Sequence, residues 1–174
     1  MDYSLRAVYH NISRIYFHHG TVGNCQYCFF GRYSMGAPYY GAHAAVAFLA
    51  GARHVTALDG GTTNYAAYVA FDSNGAPLRA LLYNSDYFSG TGTRTSQSFT
   101  LTGLSGSSVR AKRLTAASAS SRVDQGSSPT FGGQTFADGT CVVGGSETFE
   151  TGVISDGQVT FSVKATEVLL VYLQ

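Results

Sequence analysis

The sequence is short of charged residues, and those it has are unevenly distributed. Asp, Glu, Lys and Arg make up 12% of the 174 residues, compared with roughly 25% in typical soluble domains. No Glu precedes Glu147 and no Lys precedes Lys112, although exposed helices use both on their solvent faces. The first two thirds of the chain therefore cannot carry many surface helices.

The net charge and the short apolar stretches exclude two classes of protein. The formal net charge is +1, which excludes a nucleic-acid binder that relies on bulk positive charge. The longest apolar stretch, residues 42–50, is far shorter than the roughly 20 residues that span a bilayer, so no membrane anchor is expected. Residues 1–4 lack the basic start and apolar run of a secretion signal, and no such signal is predicted in this chain.

The remaining composition favours strands and turns. Glycine contributes 21 residues and Tyr and Phe together 23, whereas Trp is absent. After His54 the apolar segments are short, alternating and separated by turn signals such as Asn74-Gly75 and Asp156-Gly157, which is typical of antiparallel hairpins. Strands are predicted at residues 65–72, 78–84, 98–104, 109–114, 148–154, 158–163 and 167–173. About eight strands at this spacing indicate a mainly β fold, an antiparallel two-sheet β-sandwich.

The first 53 residues have a different pattern. Apolar residues at helical spacing predict a helix over residues 2–12, and Ile15-Tyr16-Phe17 predicts a buried parallel strand over 14–18. A glycine-rich loop leads to a second helix over 38–52, opened by Pro38. One such helix-strand-helix unit cannot close a core by itself. We therefore divide the chain into residues 1–53 and an antiparallel β-sandwich domain over 54–174.

The Ser- and Thr-rich stretch from residue 85 to residue 128 has two interpretations. A flexible linker is one. The alternation of Phe99, Leu101 and Gly103 with threonines favours the other, strands with one hydroxyl-rich face.

Several motifs resemble one known family. The motifs are Ser13-Arg14-Ile15-Tyr16-Phe17-His18, Tyr83-Asn84-Ser85-Asp86-Tyr87, Ala111-Lys112-Arg113-Leu114-Thr115, Val123-Asp124-Gln125-Gly126 and Gly132-Gly133-Gln134-Thr135. In these motifs the chain resembles the C-terminal part of fungal glycoside hydrolase family 79, which includes secreted β-glucuronidases and heparanases. The resemblance implies that residues 1–53 are the end of a (β/α)₈ barrel, that a β-sandwich follows, and that the protein is extracellular. It also implies that the missing barrel is this chain's partner in a parent enzyme.

The resemblance implies no catalytic residue here. Retaining glycosidases use two carboxylates about 5 to 5.5 Å apart, and in this family both belong to earlier barrel strands. Glu147, Glu150 and Glu167 all fall in the predicted sandwich. We expect the chain to be inactive by itself. By the same resemblance, Tyr27, Arg32 and Tyr33 lie in a loop at the active-site face of the barrel and contact a uronic acid in the intact enzyme, unless they merely pack that loop.

Cysteine and histidine give weaker signals. Cys25 and Cys28 have redox-motif spacing without a thioredoxin-like context, and Cys141 stands alone. An extracellular origin favours at least one disulfide, but the pairing stays open. His18-His19 lacks the spacing of metal ligands, so no metal is expected, and no nucleotide-binding motif calls for a cofactor.

Two surface features complete the expectations. Arg110 and Lys112 share one face of a predicted strand while Arg113 points the other way. Together with Arg122, Arg110 and Lys112 form either a solvated surface or a patch for an acidic glycan. Asn11-Ile12-Ser13 is an N-glycosylation sequon at a predicted helix end, a match that is common by chance.

Two functions from different classes remain open. One is an accessory, glycan-contacting portion of a glucuronidase-like hydrolase. The other is a stand-alone carbohydrate-binding protein, lectin-like or immunomodulatory. In either case unpaired apolar residues around Ile15, Phe17, Val46 and Leu49 favour homo-oligomers.

Overall fold

The computed structural model describes residues 1–17, 29, 35–137 and 140–174. Two helices lie in its N-terminal part, α1 (Asp2–Tyr9) and α2 (Ala37–Leu49). A proline lies in the first turn of α2, where its missing N–H leaves no hydrogen bond unmade. Among the described residues, no helix is long and apolar enough to cross a membrane.

The rest of the described chain is built from antiparallel strands and one short 3-10 helix (Val123–Gln125). The strands are β1 (His54–Ala57), β2 (Tyr65–Phe71), β3 (Pro77–Asn84), β4 (Ser96–Thr102), β5 (Ser108–Thr115), β6 (Thr130–Phe131), β7 (Thr135–Phe136), β8 (Val143–Gly144), β9 (Glu150–Val153), β10 (Gln158–Lys164) and β11 (Glu167–Tyr172).

Seven strands form one large sheet in the order β1-β2-β3-β11-β5-β6, with β9 also paired to β5. β11 lies between β3 and β5, and five of its six residues are buried. Two smaller sheets pair β10 with β4 and β7 with β8. Gly75 and Gly157 have φ angles of 79° and 71° at two of the turns, which glycine adopts without steric cost.

The large sheet carries a hydrophobic core on each face. Because strand residues alternate, Val168 and Leu170 of β11 pack towards the helices, with Leu5 and Phe48. Leu169 and Val171 pack on the other side, against a cluster that includes Phe161 of β10. The β4–β10 pair therefore covers one face of the large sheet and the helices cover the other. The mainly β, antiparallel two-sheet prediction is confirmed.

The N-terminal prediction is wrong in one element. Residues 12–17 have no regular secondary structure, and Tyr16 is 85% exposed, so the buried parallel strand predicted at 14–18 is not formed over its described part. A parallel strand needs neighbours that supply its ladder hydrogen bonds, and no described strand pairs with this segment. The helices also end earlier than predicted, at Tyr9 and Leu49.

The division at residue 53 stays a prediction. α2 ends at Leu49 and β1 begins at His54, yet helix residues such as Leu5 and Phe48 share one buried cluster with sheet residues such as Tyr68.

Candidate functional site

The candidate site is a cationic and aromatic strip on the helix-facing side of β5. Arg110 and Lys112 both reach the ring of Phe149, with the Arg110 Cζ 3.8 Å and the Lys112 Nζ 5.9 Å from the ring centroid. Tyr172 meets Phe149 edge to face, with ring centroids 6.0 Å apart. The structure therefore brings two of the three predicted patch residues together on one aromatic platform.

The two cations differ in what they offer to solvent. Lys112 is 6% exposed. Its Nζ lies 2.7 Å from Glu147 Oε1 and 4.4 Å from the Phe131 ring centroid. The charge of Lys112 is therefore already balanced by Glu147. Arg110 is exposed, and no ion pair among the described residues includes it. The guanidinium of Arg110, which lies over the ring of Phe149, is thus the cation that the strip presents to water.

Arg122 lies outside this shared contact. It precedes the 3-10 helix, and its guanidinium binds the carboxylate of Asp124 through two hydrogen bonds, one of them 2.9 Å from Nε to Oδ1. Its charge is thus matched locally.

An aromatic cluster continues the strip towards α2. The ring of His43 lies 5.6 Å from that of Phe131 and 5.1 Å from that of Phe136. Burial, and then the charge of Lys112, lower the pKa of His43. The imidazole is therefore neutral at pH 7 and serves as a packing ring rather than as a second cation.

An ionic network around the buried Glu167 lies on the opposite face of β5, and the sequence analysis did not predict it. Arg113 donates two hydrogen bonds to Glu150, of 2.6 and 2.7 Å, and one of 2.6 Å to Glu167 Oε2. The hydroxyl of Thr115 donates to the other oxygen of Glu167 at 2.7 Å, and Arg94 lies 3.6 Å from it. A signal was present, because Glu167 opens an otherwise apolar strand and a buried carboxylate needs a partner.

This network holds Glu167 in its ionised form. Burial alone raises the pKa of a carboxyl group, but the hydrogen bond from Thr115 and the charge of Arg113 outweigh it, and the pKa of Glu167 is lowered. A glycosidase acid needs the opposite, a pKa raised towards neutrality. Glu150 and Glu167 are both bound to one arginine and do not resemble an acid and nucleophile pair.

The described residues also enclose a mainly apolar cleft of about 560 Å³ between the helices and the chain after β5. Tyr40, Tyr83 and Leu114 contribute to its walls, and hydroxyls come from residues such as Thr115 and Ser118. No Asp, Glu, His, Lys or Arg side chain lines it. It can hold an apolar surface, but it offers no acid or base.

Several predicted site residues lie outside the described residues: Tyr27, Arg32, Tyr33, Cys25, Cys28 and His18-His19. Cys141 is described and exposed, and its Sγ lies 3.5 Å from the Sδ of Met35. The disulfide therefore stays a prediction. Within the described ranges no three His, Cys, Asp or Glu side chains are grouped as metal ligands.

Comparison with known proteins finds a family model that matches the sheet region and a solved enzyme structure that matches most of the chain. The model of the glycosyl hydrolase family 79 C-terminal beta domain matches residues 65–170. The solved structure of a 4-O-α-L-rhamnosyl-β-D-glucuronidase from Fusarium oxysporum 12S matches this chain with 57% sequence identity and a TM-score of 0.87. The match covers 91% of this chain and 34% of the Fusarium chain. This chain thus spans about a third of that enzyme.

A second solved structure is far less similar. A GH51 arabinofuranosidase from Xanthomonas axonopodis pv. citri is 16% identical over 68% of this chain and 21% of its own, with a TM-score of 0.40, which is too low to support an argument. No curated protein matches the chain.

Proposed function

Because the chain belongs to glycosyl hydrolase family 79, whose C-terminal β domain it contains, we propose that it is the non-catalytic C-terminal portion of a secreted, glucuronidase-like enzyme. In this proposal, residues 54–174 form the accessory β domain and residues 1–53 end the catalytic barrel. The similarity to a rhamnosyl-glucuronidase supports a glucuronide-type substrate for the intact enzyme, and the remaining two thirds of such an enzyme would carry the catalysis.

One observation carries the non-catalytic role: each of the three glutamates is tied to a cation. Glu147 pairs with Lys112, while Glu150 and Glu167 share Arg113. None of them lines the large apolar cleft. A retaining mechanism needs one free carboxylate nucleophile and one protonated acid facing the sugar, and these three side chains supply neither.

An assay with an aryl β-glucuronide tests this role. We expect the purified chain to release no aryl alcohol above the buffer blank, because it lacks the carboxylate pair. An intact family 79 β-glucuronidase serves as the positive control. Turnover that survives purification and is abolished in Glu147→Gln or Glu150→Gln would overturn the proposal.

We also propose that the strip on β5 contacts an acidic glycan. Arg110 supplies a guanidinium suited to a uronate carboxylate. It lies over the ring of Phe149, which in turn contacts the ring of Tyr172. Lys112 and Arg122 contribute less, because Glu147 and Asp124 already balance their charges. By the same proposal Tyr27, Arg32 and Tyr33 contact the uronic acid of the intact enzyme.

Calorimetry at low salt separates this contact from general charge attraction. Arg110→Ala should lose most of the heat released with an acidic glycan, and binding by the wild type should weaken at 1 M salt, where the Debye length is about 3 Å. Lys164→Ala is the matched control, since Lys164 is an exposed cation on β10, away from the strip. Equal binding by Arg110→Ala and wild type, or equal heat from a neutral glycan, would contradict the contact.

A further inference from the structure

The asparagine that follows α1 is a candidate for covalent modification. Asn11-Ile12-Ser13 is the only Asn-X-Ser/Thr triplet in the 174 residues. A triplet of this kind is the sequence signal for N-glycosylation in secreted proteins.

The local backbone explains why asparagine occupies position 11. Asn11 has a φ of 58°, a left-handed conformation that Asn tolerates better than most residues. Its N–H donates to Val8 O at 3.0 Å, and the N–H of Ile12 donates to Ala7 O at 2.8 Å. These two bonds form the Schellman motif that ends many helices.

Helix capping accounts for Asn11 but not for Ser13. The motif is complete at Ile12, and Ser13 lies beyond it in the exposed segment without regular structure. Asn11 is itself exposed. The turn thus presents both polar groups that an oligosaccharyltransferase reads, the amide of Asn11 and the hydroxyl of Ser13.

A cleft beside the turn provides room for a sugar. Asn11 and Tyr9 line a cleft of about 370 Å³ whose other walls include Leu49, Arg53 and Val55. Tyr9 is 42% exposed. A partly exposed aromatic ring can pack against the apolar C–H face of a pyranose, and Leu49, the last residue of α2, adds another apolar side chain to this cleft.

We propose that Asn11 carries an N-linked glycan whose first N-acetylglucosamine lies in this cleft against Tyr9. The donor is an oligosaccharide on a polyprenyl diphosphate. The bond between its anomeric carbon and the diphosphate oxygen breaks, the anomeric carbon bonds to Nδ2 of Asn11, and the amide gives up one proton as the polyprenyl diphosphate leaves. In the natural protein this rests on the proposed secretion.

Secretion of the 174-residue chain from yeast, behind a heterologous signal, tests the acceptor independently of where the natural protein resides. We expect an intact mass that falls on treatment with peptide N-glycosidase, and a peptide map with aspartate at position 11 afterwards. Asn11→Gly keeps the left-handed turn and removes the acceptor, whereas Ser13→Ala keeps the cap and removes recognition. Both should lack the glycan, and Ser13→Thr should retain it.

An unmodified Asn11 in the secreted wild type would overturn the proposal. If a variant is not secreted, it can be translated in vitro with microsomes. Glycosylation then appears as a shift in gel mobility, and this measurement does not depend on export. Failure in both systems leaves Asn11 as a helix cap only, without affecting the proposed enzyme role.

The position of the sugar has its own test. Under native conditions Tyr9→Ala should speed enzymatic release of the glycan on the order of fivefold, because the stacking contact that protects the first sugar is lost. Tyr16→Ala is the control, since Tyr16 is 85% exposed and does not line this cleft. Equal release rates for the wild type and Tyr9→Ala would exclude the stacking.

Discussion

At the scale of single residues, Arg113 and Glu167 connect the two packed sheets. Arg113 belongs to β5 of the large sheet, and its Nη2 also donates to the carbonyl of Ser162 on β10, at 3.2 Å. Glu167 is 4% exposed and accepts hydrogen bonds from Thr115 and from the backbone N–H of Lys164. Removing one member leaves the other buried and charged, which is costly.

Glu167 should make stability depend on pH. The pKa of its carboxyl is lowered in the folded protein, so the folded state binds fewer protons than the unfolded chain. Its contribution is therefore fully present at pH 7 and is lost as the pH falls below about 4.3, the ordinary glutamate value, and on through the lowered folded pKa.

Denaturant unfolding of Glu167→Gln between pH 7 and pH 3 measures this contribution. The variant should be about 2 kcal/mol less stable at pH 7 because it loses charged hydrogen bonds, and its stability should fall less on acidification. Asp156→Asn is the matched control, because Asp156 is exposed and belongs to no ion pair among the described residues. A Glu167→Gln curve parallel to the wild type across this pH range would contradict the assignment.

At the scale of elements, close packing between β9 and β10 shows why some features escape sequence reasoning. Gly152 of β9 faces β10 so closely that a Cβ there would lie 2.4 Å from Phe161 Cζ. Alternation and the Asp156-Gly157 turn signal predicted β9 and β10 as a hairpin. Both strands form, but the predicted pairing is wrong, because β10 pairs with β4. The sequence does not indicate that β9 pairs with β5 instead, because such pairing depends on contacts distant in the chain.

The candidate site was likewise only partly predictable from the sequence. Strand periodicity put Arg110 and Lys112 on one face, and their common contact with Phe149 confirms it. Periodicity could not show that Glu147, 35 residues away, neutralises Lys112. At the N-terminus the pattern of Ile15-Tyr16-Phe17 predicts a strand. A strand forms, however, only where a neighbouring strand supplies the backbone hydrogen bonds of its ladder.

At the scale of the whole molecule, the described N-terminal part exposes apolar groups that a finished surface normally covers. Tyr16, Val46 and Phe17 are 85%, 67% and 47% exposed, and Phe17 also helps to line the apolar cleft. We propose that the rest of the enzyme covers this surface. In the isolated chain the same residues would promote homo-oligomers, which light scattering would detect.

The intact mass of the natural protein, measured in the organism that encodes it, tests the central claim most directly. The account predicts a polypeptide about three times as long as this chain, because the similar Fusarium enzyme is matched over 34% of its length. A natural product of 18.4 kDa would contradict it. That result would favour the alternative, a stand-alone lectin-like or immunomodulatory protein built from the same fold.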